Sequence, residues 1–371
     1  MILVFTVVFV ALIFTYTNGF HDTANSIATV VGTKVLTPRQ AIVLATVTNL
    51  MGAMTGAAVA QTIASGIVNS EVVPASTSSW MLICALFSAI LWNLVTWYVG
   101  LPSSSSHALV GGLCGAALAT AQGNWNAVIW SRLPSPGRPW WDGGGVFFKV
   151  VIPMIISPVL GLLIAFCIMG LLYLVLRNWR PLKVTRTFGK LQLLSSAYMG
   201  FSHGTNDAQK TMGIIALALV AATKIGAFEH LPAWLGFLRT AESADPKDQH
   251  IAVWIKVLCA LTMAAGTAAG GWRVIKTLGH KLVRLQPVHG FAAETAGATV
   301  LLGAAMLGMP VSTTHVITCS IMGVGAAKRL SALKWTLAER IVWAWILTLP
   351  VSGIMAYGLV RLLQWAGKLY A

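Results

Sequence analysis

Apolar runs close to twenty residues long dominate the chain, separated by short polar or basic connections: Ala41–Ala60, Trp80–Val99, Val150–Leu176, Ile251–Gly271 and Ile341–Leu363. A helix needs about 20 such residues to cross a hydrocarbon core. No run alternates apolar and polar positions over strand lengths, which argues against a β-barrel. The first run, Met1–Thr17, has no basic start and no cleavage signal, and reads as a retained helix rather than a removed signal segment. It falls short of a full span when it meets Asn18-Gly19, which predicts a helix interrupted part-way through the bilayer.

Three acids break the apolar pattern. Of ten acidic residues, only Asp22, Asp207 and Glu294 lie inside strongly apolar sequence. A carboxylate at membrane depth costs about 2.5 to 3.5 kcal/mol on insertion scales, so such acids mark function. The two aspartates sit in near-copies of one phrase, Asn18-Gly-Phe-His-Asp22-Thr-Ala-Asn25 and His203-Gly-Thr-Asn-Asp207-Ala-Gln-Lys210. A small-residue helix face follows each: Gly52-x-x-x-Gly56 and Gly266-x-x-x-Gly270. Then come Gly100-Leu-Pro-Ser-Ser-Ser-Ser-His107 and Gly308-Met-Pro-Val-Ser-Thr-Thr-His315. Three matches in the same order divide the chain into repeats at 1–176 and 191–371, joined by a short basic connection at 177–190.

Composition agrees: 57% of residues are hydrophobic and 9% charged, with a mean hydropathy of +0.77. Soluble domains carry about 25% charged residues. The fold class is therefore an all-α polytopic membrane protein. The five cysteines are scattered singly, with no metal-ligand or disulfide spacing, and read as small core residues. The net charge of +15 is no nucleic-acid signal, because it is gathered into loops. Arg177, Arg180, Lys183, Arg186 and Lys190 form one; Arg273, Lys276, Lys281 and Arg284 a second; Lys328, Arg329, Lys334 and Arg340 a third. Basic loops stay cytoplasmic. The connections 61–79, 121–149 and 224–250, and the N-terminus, are then external. On this parity the halves are inverted, a recurring plan of secondary transporters with the site near the midplane. The segments returning from the Ser/Thr phrases are short for full spans, so 80–121 and 291–327 are expected to be re-entrant hairpins whose tips meet.

Pro102 and Pro310 break the incoming helices. The hydroxyls Ser104, Ser105, Ser106 and Ser312, Thr313, Thr314 then open the outgoing ones. A helix N-terminus offers free N–H groups and a positive dipole end to an anion. Ser and Thr are also ordinary N-caps, the plainer reading of one such phrase. Two facing copies would surround a small oxyanion, and phosphate suits hydroxyls that both donate and accept. In the acid phrases, Asp22 with Asn25 and unwound backbone carbonyls would make a hard-oxygen shell suited to Na⁺. Lys210 takes the place of Asn25 in the second copy, where its ammonium would compete with a bound cation or form a buried pair with Asp207. His21 and His203 read as proton relays or as hydrogen-bonded core residues. Glu294, without an acidic counterpart in the first half, reads as a proton carrier or a helix-start acceptor. No resident metal or cofactor is expected.

Together, the paired Asp phrases and the paired Pro-x-Ser-Ser/Thr-Ser/Thr-His phrases resemble the inorganic phosphate transporter (PiT) family, in particular its bacterial low-affinity members. The resemblance runs from about residue 10 to 360. It implies phosphate binding at Ser104, Ser105, Ser106, Ser312, Thr313 and Thr314, and cation coupling at Asp22, Asn25 and Asp207. It implies symport with Na⁺ or H⁺ across the cell's inner (plasma) membrane, some members carrying a metal–phosphate complex such as one with Mg²⁺. Na⁺ coupling is expected where both Asp phrases end in Asn; Lys210 departs from that and favours H⁺. Arsenate is the expected competitor, and a homo-oligomer is left open. Sulfate, the rival oxyanion, has no proton to donate at pH 7. An intramembrane Ser-His hydrolase is disfavoured because neighbouring helical residues point about 100° apart. A channel is disfavoured by the buried acids.

Overall fold

The protein is described from a computed structural model over residues 1–241, 250–271, 274–275, 277–281, 285–329, 331 and 333–367. Residues 242–249 of the connection expected to be external, and the basic residues Arg273, Lys276 and Arg284, lie outside the described residues. The chain is nearly all helical. Its helices are α1 (Ile2–Gly32), α2 (Pro38–Ala53), α3 (Ala58–Ser65), α4 (Ala75–Val99), α5 (Ser105–Thr120), α6 (Ile152–Leu176), α7 (Pro181–Lys224), α8 (Val253–Ala269), α9 (Pro287–Met306), α10 (Thr313–Lys328) and α11 (Trp335–Trp365).

Among the described residues, four helices are long and apolar enough to cross a membrane alone: α1, α4, α6 with its leading π-turn from Phe147, and α11. α6 and α11 are the least buried of these. They turn Ile155, Leu163, Phe166, Leu171 and Trp343, Ile346, Ile354 outward, as lipid-facing helices do.

The expected interruption at Asn18-Gly19 is not there. α1 runs unbroken through the first acid phrase, and α7, at 44 residues, runs unbroken through the second. The unwound carbonyls anticipated for a cation shell are therefore absent from both phrases. The glycines serve close helix crossing instead. A Cβ on Gly19 would lie 2.5 Å from Met263 O of α8, and one on Gly266 would lie 2.2 Å from Tyr16 O of α1. The other half repeats this: Gly204 of α7 meets Asn49 O at 2.2 Å, and Gly52 of α2 meets Phe201 O at 2.0 Å. Each acid helix thus crosses a helix of the opposite half at glycine-to-backbone contact.

Helix ends fall at the small-residue phrases. Ala41–Ala60, expected as one crossing, is split into α2 and α3, bent by 65°. Gly56 at the break has φ +73°, and Gly270, just after α8, has φ +70°, conformations that favour glycine. Opposite halves interlock again further out. Gly115 of α5 lies against Gly353 of α11, and Gly323 of α10 lies against Leu162 of α6.

Candidate functional site

The tips, the two Ser/Thr phrases between helices, are built as their sequence dictates. α4 ends at Gly100 in the left-handed region, φ +73°, and α9 is followed by Gly308 at φ +65°. The stop thus falls two residues before each proline. Ser104 and Ser312 are the N-caps of α5 and α10, their hydroxyls accepting from the backbone N–H of His107 and His315, each at 3.2 Å. These two hydroxyls are committed to the caps. The tips then touch: Ser106 Oγ donates to Val311 O at 3.0 Å, and the His107 and His315 rings meet edge to face at 4.7 Å. His315 also stacks on Trp345 at 3.9 Å. Ser106 is turned away from His107, whose ring nitrogens have no partner among the described residues, so no Ser-His pair exists here.

The remaining hydroxyls face the acids. Ser105 Oγ donates to Asp22 Oδ2 at 2.7 Å, and Thr314 Oγ1 lies 3.4 Å from Asp22 Oδ1. Asn25 Nδ2 donates to Thr313 at 3.0 Å and to Thr314 at 2.9 Å, leaving its Oδ1 unpartnered. Thr313 Oγ1 lies 3.5 Å from Asp207 Oδ2. His21 Nδ1 donates to Asp22 Oδ1 at 2.6 Å. Lys210 Nζ donates to Asp207 Oδ1 at 2.5 Å, and His203 Nε2 lies 3.3 Å from Asp207 Oδ2. Ligand atoms of Asp22, His203 and Asp207 lie within 4.8 Å of one another. All of these side chains are buried. The two acid phrases and the two tips, separated by up to some 290 positions in sequence, thus form one polar centre in an apolar body.

Glu294 is not part of that centre. Thr29 Oγ1 donates to its Oε1 at 2.5 Å, Gln192 Nε2 donates to Oε1 at 3.2 Å, and Ser195 Oγ donates to Oε2. The helix-start role anticipated for it gives way to a three-donor pocket between α1, α7 and α9. Sequence reading missed Thr29, Gln192 and Ser195. Their signal was spacing. Asp22, Asn25, Thr29 and Thr33 recur on one face of α1, and Gln192, Ser195, His203, Asn206 and Lys210 on one face of α7.

Residues 18–356 match the phosphate transporter family. The chain belongs to that family. Among its relatives is a probable low-affinity inorganic phosphate transporter of Bacillus subtilis, 39% identical over 98% of both chains. One of the same description from Rhizobium meliloti is 39% identical over 94% of this chain and 92% of its own. A solved structure described as the sodium-dependent phosphate transporter is 25% identical and superposes with a TM-score of 0.79 over 98% of this chain and 100% of its own. Family and relatives are transporters rather than enzymes, and the family assignment with the apolar helices makes this an integral membrane protein.

Proposed function

We propose that this chain is a secondary active symporter that takes up inorganic phosphate across the inner (plasma) membrane, driven by H⁺ in preference to Na⁺. Phosphate binds at the meeting tips. Ser105, Thr313 and Thr314 supply hydroxyls, and the N-termini of α5 and α10 supply N–H groups and a positive dipole end. Ser104, Ser106 and Ser312 shape the tips, by capping and by tip-to-tip contact. The observation that carries this reading is that these hydroxyls now rest on Asp22, Asp207 and Asn25. A phosphate taking over the hydroxyls would sit beside two carboxylates. At ~4 Å and an effective dielectric constant near 20, each like-charge contact costs about 4 kcal/mol. Positive charge must arrive with the anion. Asp207 already has the Lys210 ammonium; Asp22 has only His21, so the coupling cation is needed at Asp22.

The halves 1–176 and 191–371 act as inverted repeats with re-entrant tips, entering from opposite faces, and the N-terminus is external. The swapped helix crossings support this. So do two matching contacts: Thr62 Oγ1 donates to Gly308 O at 2.7 Å, and Thr277 Oγ1 donates to Gly100 O at 3.0 Å. In each, a threonine beyond α2 or α8 holds the other half's tip. α4, at 25 residues, is longer than a re-entrant arm requires, and we read it as strongly inclined.

Na⁺ coupling is the second reading, favoured by the unpartnered Asn25 Oδ1 beside Asp22. The test is phosphate uptake into proteoliposomes under separately imposed pH and Na⁺ gradients, with and without Mg²⁺, and with arsenate or sulfate as competitor. Accumulation on the pH gradient alone is expected. Accumulation on Na⁺ alone would replace H⁺ by Na⁺, and a strict Mg²⁺ requirement would make the substrate a metal–phosphate complex. Sulfate competing as well as arsenate would sink the phosphate reading.

A further inference from the structure

A cavity of about 790 Å³ opens over the second tip. Its wall is the Trp-, Gly- and Pro-rich stretch 129–149, and its floor includes Thr62 and Gly308, the residues joined by the 2.7 Å contact described above. From Gly308 the chain reaches Thr313 in five residues, at most ~18 Å even fully extended.

The wall is a built structure rather than a loose loop. Arg132 and Gly144 exchange backbone hydrogen bonds at 2.9 and 2.8 Å, and Val146 and Phe147 donate to Ile129 O and Trp130 O. Ile129 N donates in turn to Ile67 O, tying the wall to the segment that follows α3. Gly145, at φ +82°, packs so closely that a Cβ would lie 2.6 Å from Ile129 O. Lys149 fastens wall to floor, its ammonium donating to Trp141 O and to Leu307 O, both at 3.0 Å.

The charge on this lining is one-sided. Arg132, Arg138 and Lys149 line the cavity against a single carboxylate, Asp142. Arg138 pairs with Asp142 at 3.2 Å across an exposed contact, and Arg132 forms no ion pair among the described residues. A concave site lined mostly by one sign of charge raises the local concentration of the opposite ion.

We propose that this cavity is a second anion site, an external vestibule in which Arg132 and Arg138 collect hydrogen phosphate before it passes the Thr62–Gly308 contact to the tips. It rests on the phosphate-transport reading and on the external placement of 121–149. The vestibule works on capture rather than translocation, so its signature is a salt-dependent KM.

The experiment compares wild type with Arg132→Gln/Arg138→Gln in right-side-out and inside-out membrane vesicles. In right-side-out vesicles near 0.01 M ionic strength, where the Debye length is about 30 Å, the double variant is expected to raise the apparent KM for phosphate roughly threefold or more. The maximal rate should change much less, and the KM difference should fade near 1 M salt, where that length is about 3 Å. An unchanged KM at low salt, or a change seen only in inside-out vesicles, would overturn the vestibule. Wild-type vesicles that take up no phosphate in either orientation would overturn the transport reading itself.

A second measurement does not depend on transport. Ser135, also on the wall, is replaced by Cys in a cysteine-free chain held in phosphatidylcholine vesicles. A negatively charged thiol reagent should react faster than its positively charged analogue, inorganic phosphate should slow both, and the double Gln variant should lose the preference. Protection by phosphatidylglycerol in the bilayer but not by inorganic phosphate would assign the site to lipid headgroups and reject the proposal.

Discussion

The Lys210 ammonium donates to Asp207 Oδ1 at 2.5 Å, one helical turn away on α7, with both side chains fully buried. At the matching place on α1 stands the uncharged Asn25, and the partner that Asp22 has on its own helix is the hydrogen bond from His21. The two acids stand in one polar centre and differ in who neutralises them. Lys210→Asn is therefore expected to restore a symmetric pair of Asp-x-x-Asn phrases and to raise the sensitivity of uptake to Na⁺. Asp22→Asn is expected to abolish gradient-driven accumulation while phosphate exchange survives, because an amide cannot cycle a charge. Gradient-driven and exchange fluxes in proteoliposomes separate the two effects. Wild-type accumulation on a Na⁺ gradient with indifference to pH would show that Lys210 has been given the wrong role.

The tip hydroxyls divide into two kinds, and their variants should too. Ser105→Ala and Thr313→Ala remove hydroxyls that face the acids. Each should weaken phosphate binding by about 1 to 3 kcal/mol, with little effect on melting temperature. Ser104→Ala removes an N-cap instead and should cost about 0.5 to 2 kcal/mol of stability. Binding and thermal melts of purified protein distinguish them. Wild-type affinity in both Ser105→Ala and Thr313→Ala would remove the tips from the binding site.

How much of this was legible beforehand depended on what each residue type can signal. Asp22 and Asp207 were legible because an acid in apolar sequence has few explanations. The tips were legible because Pro, Ser and Thr leave little freedom in how a helix restarts. Gly19 was misread because one residue type serves two ends. Glycine permits unwinding, and it also permits a backbone to approach within van der Waals contact. Only the partner, Met263 O of α8, decides between them, and it lies more than 240 residues away. The same ambiguity hid the break before Gly56, which looked like a helix-packing glycine. The Glu294 pocket was invisible for another reason. Its donors Thr29, Gln192 and Ser195 are common residues, and their convergence depends on how α1, α7 and α9 pack.

Glu294 gathers three donors in a fully buried pocket. Glu294→Ala strands them, and each stranded donor costs about 1 to 3 kcal/mol, so a large loss of melting temperature is expected. Glu294→Gln keeps size and one acceptor oxygen and should fold. If Glu294 carries the transported proton, that variant takes up phosphate with a flattened pH dependence. An unchanged pH profile in folded Glu294→Gln would assign the residue to packing alone.

Thr62 and Thr277 make matching contacts from the two halves of the sequence. Thr62 lies beyond the α2–α3 bend and Thr277 beyond the end of α8, and each donates to the glycine carbonyl that opens the other half's tip, Gly308 or Gly100. In a carrier whose tips are reached from either side in turn, only one of these contacts opens at a time. Thr62→Val and Thr277→Val each remove the hydroxyl that makes the contact, a hydrogen bond worth about 1 kcal/mol, or roughly a fivefold change in an opening equilibrium. A cysteine replacing Met309, next to Gly308, should then react several-fold faster with an impermeant reagent added outside in Thr62→Val. A cysteine replacing Leu101, next to Gly100, should react faster from inside in Thr277→Val. The cross combinations, Thr62→Val with Leu101→Cys and Thr277→Val with Met309→Cys, should not accelerate. Equal acceleration at both positions by either variant would mean that the hydroxyl only holds the fold together, and that neither contact belongs to one side of the membrane.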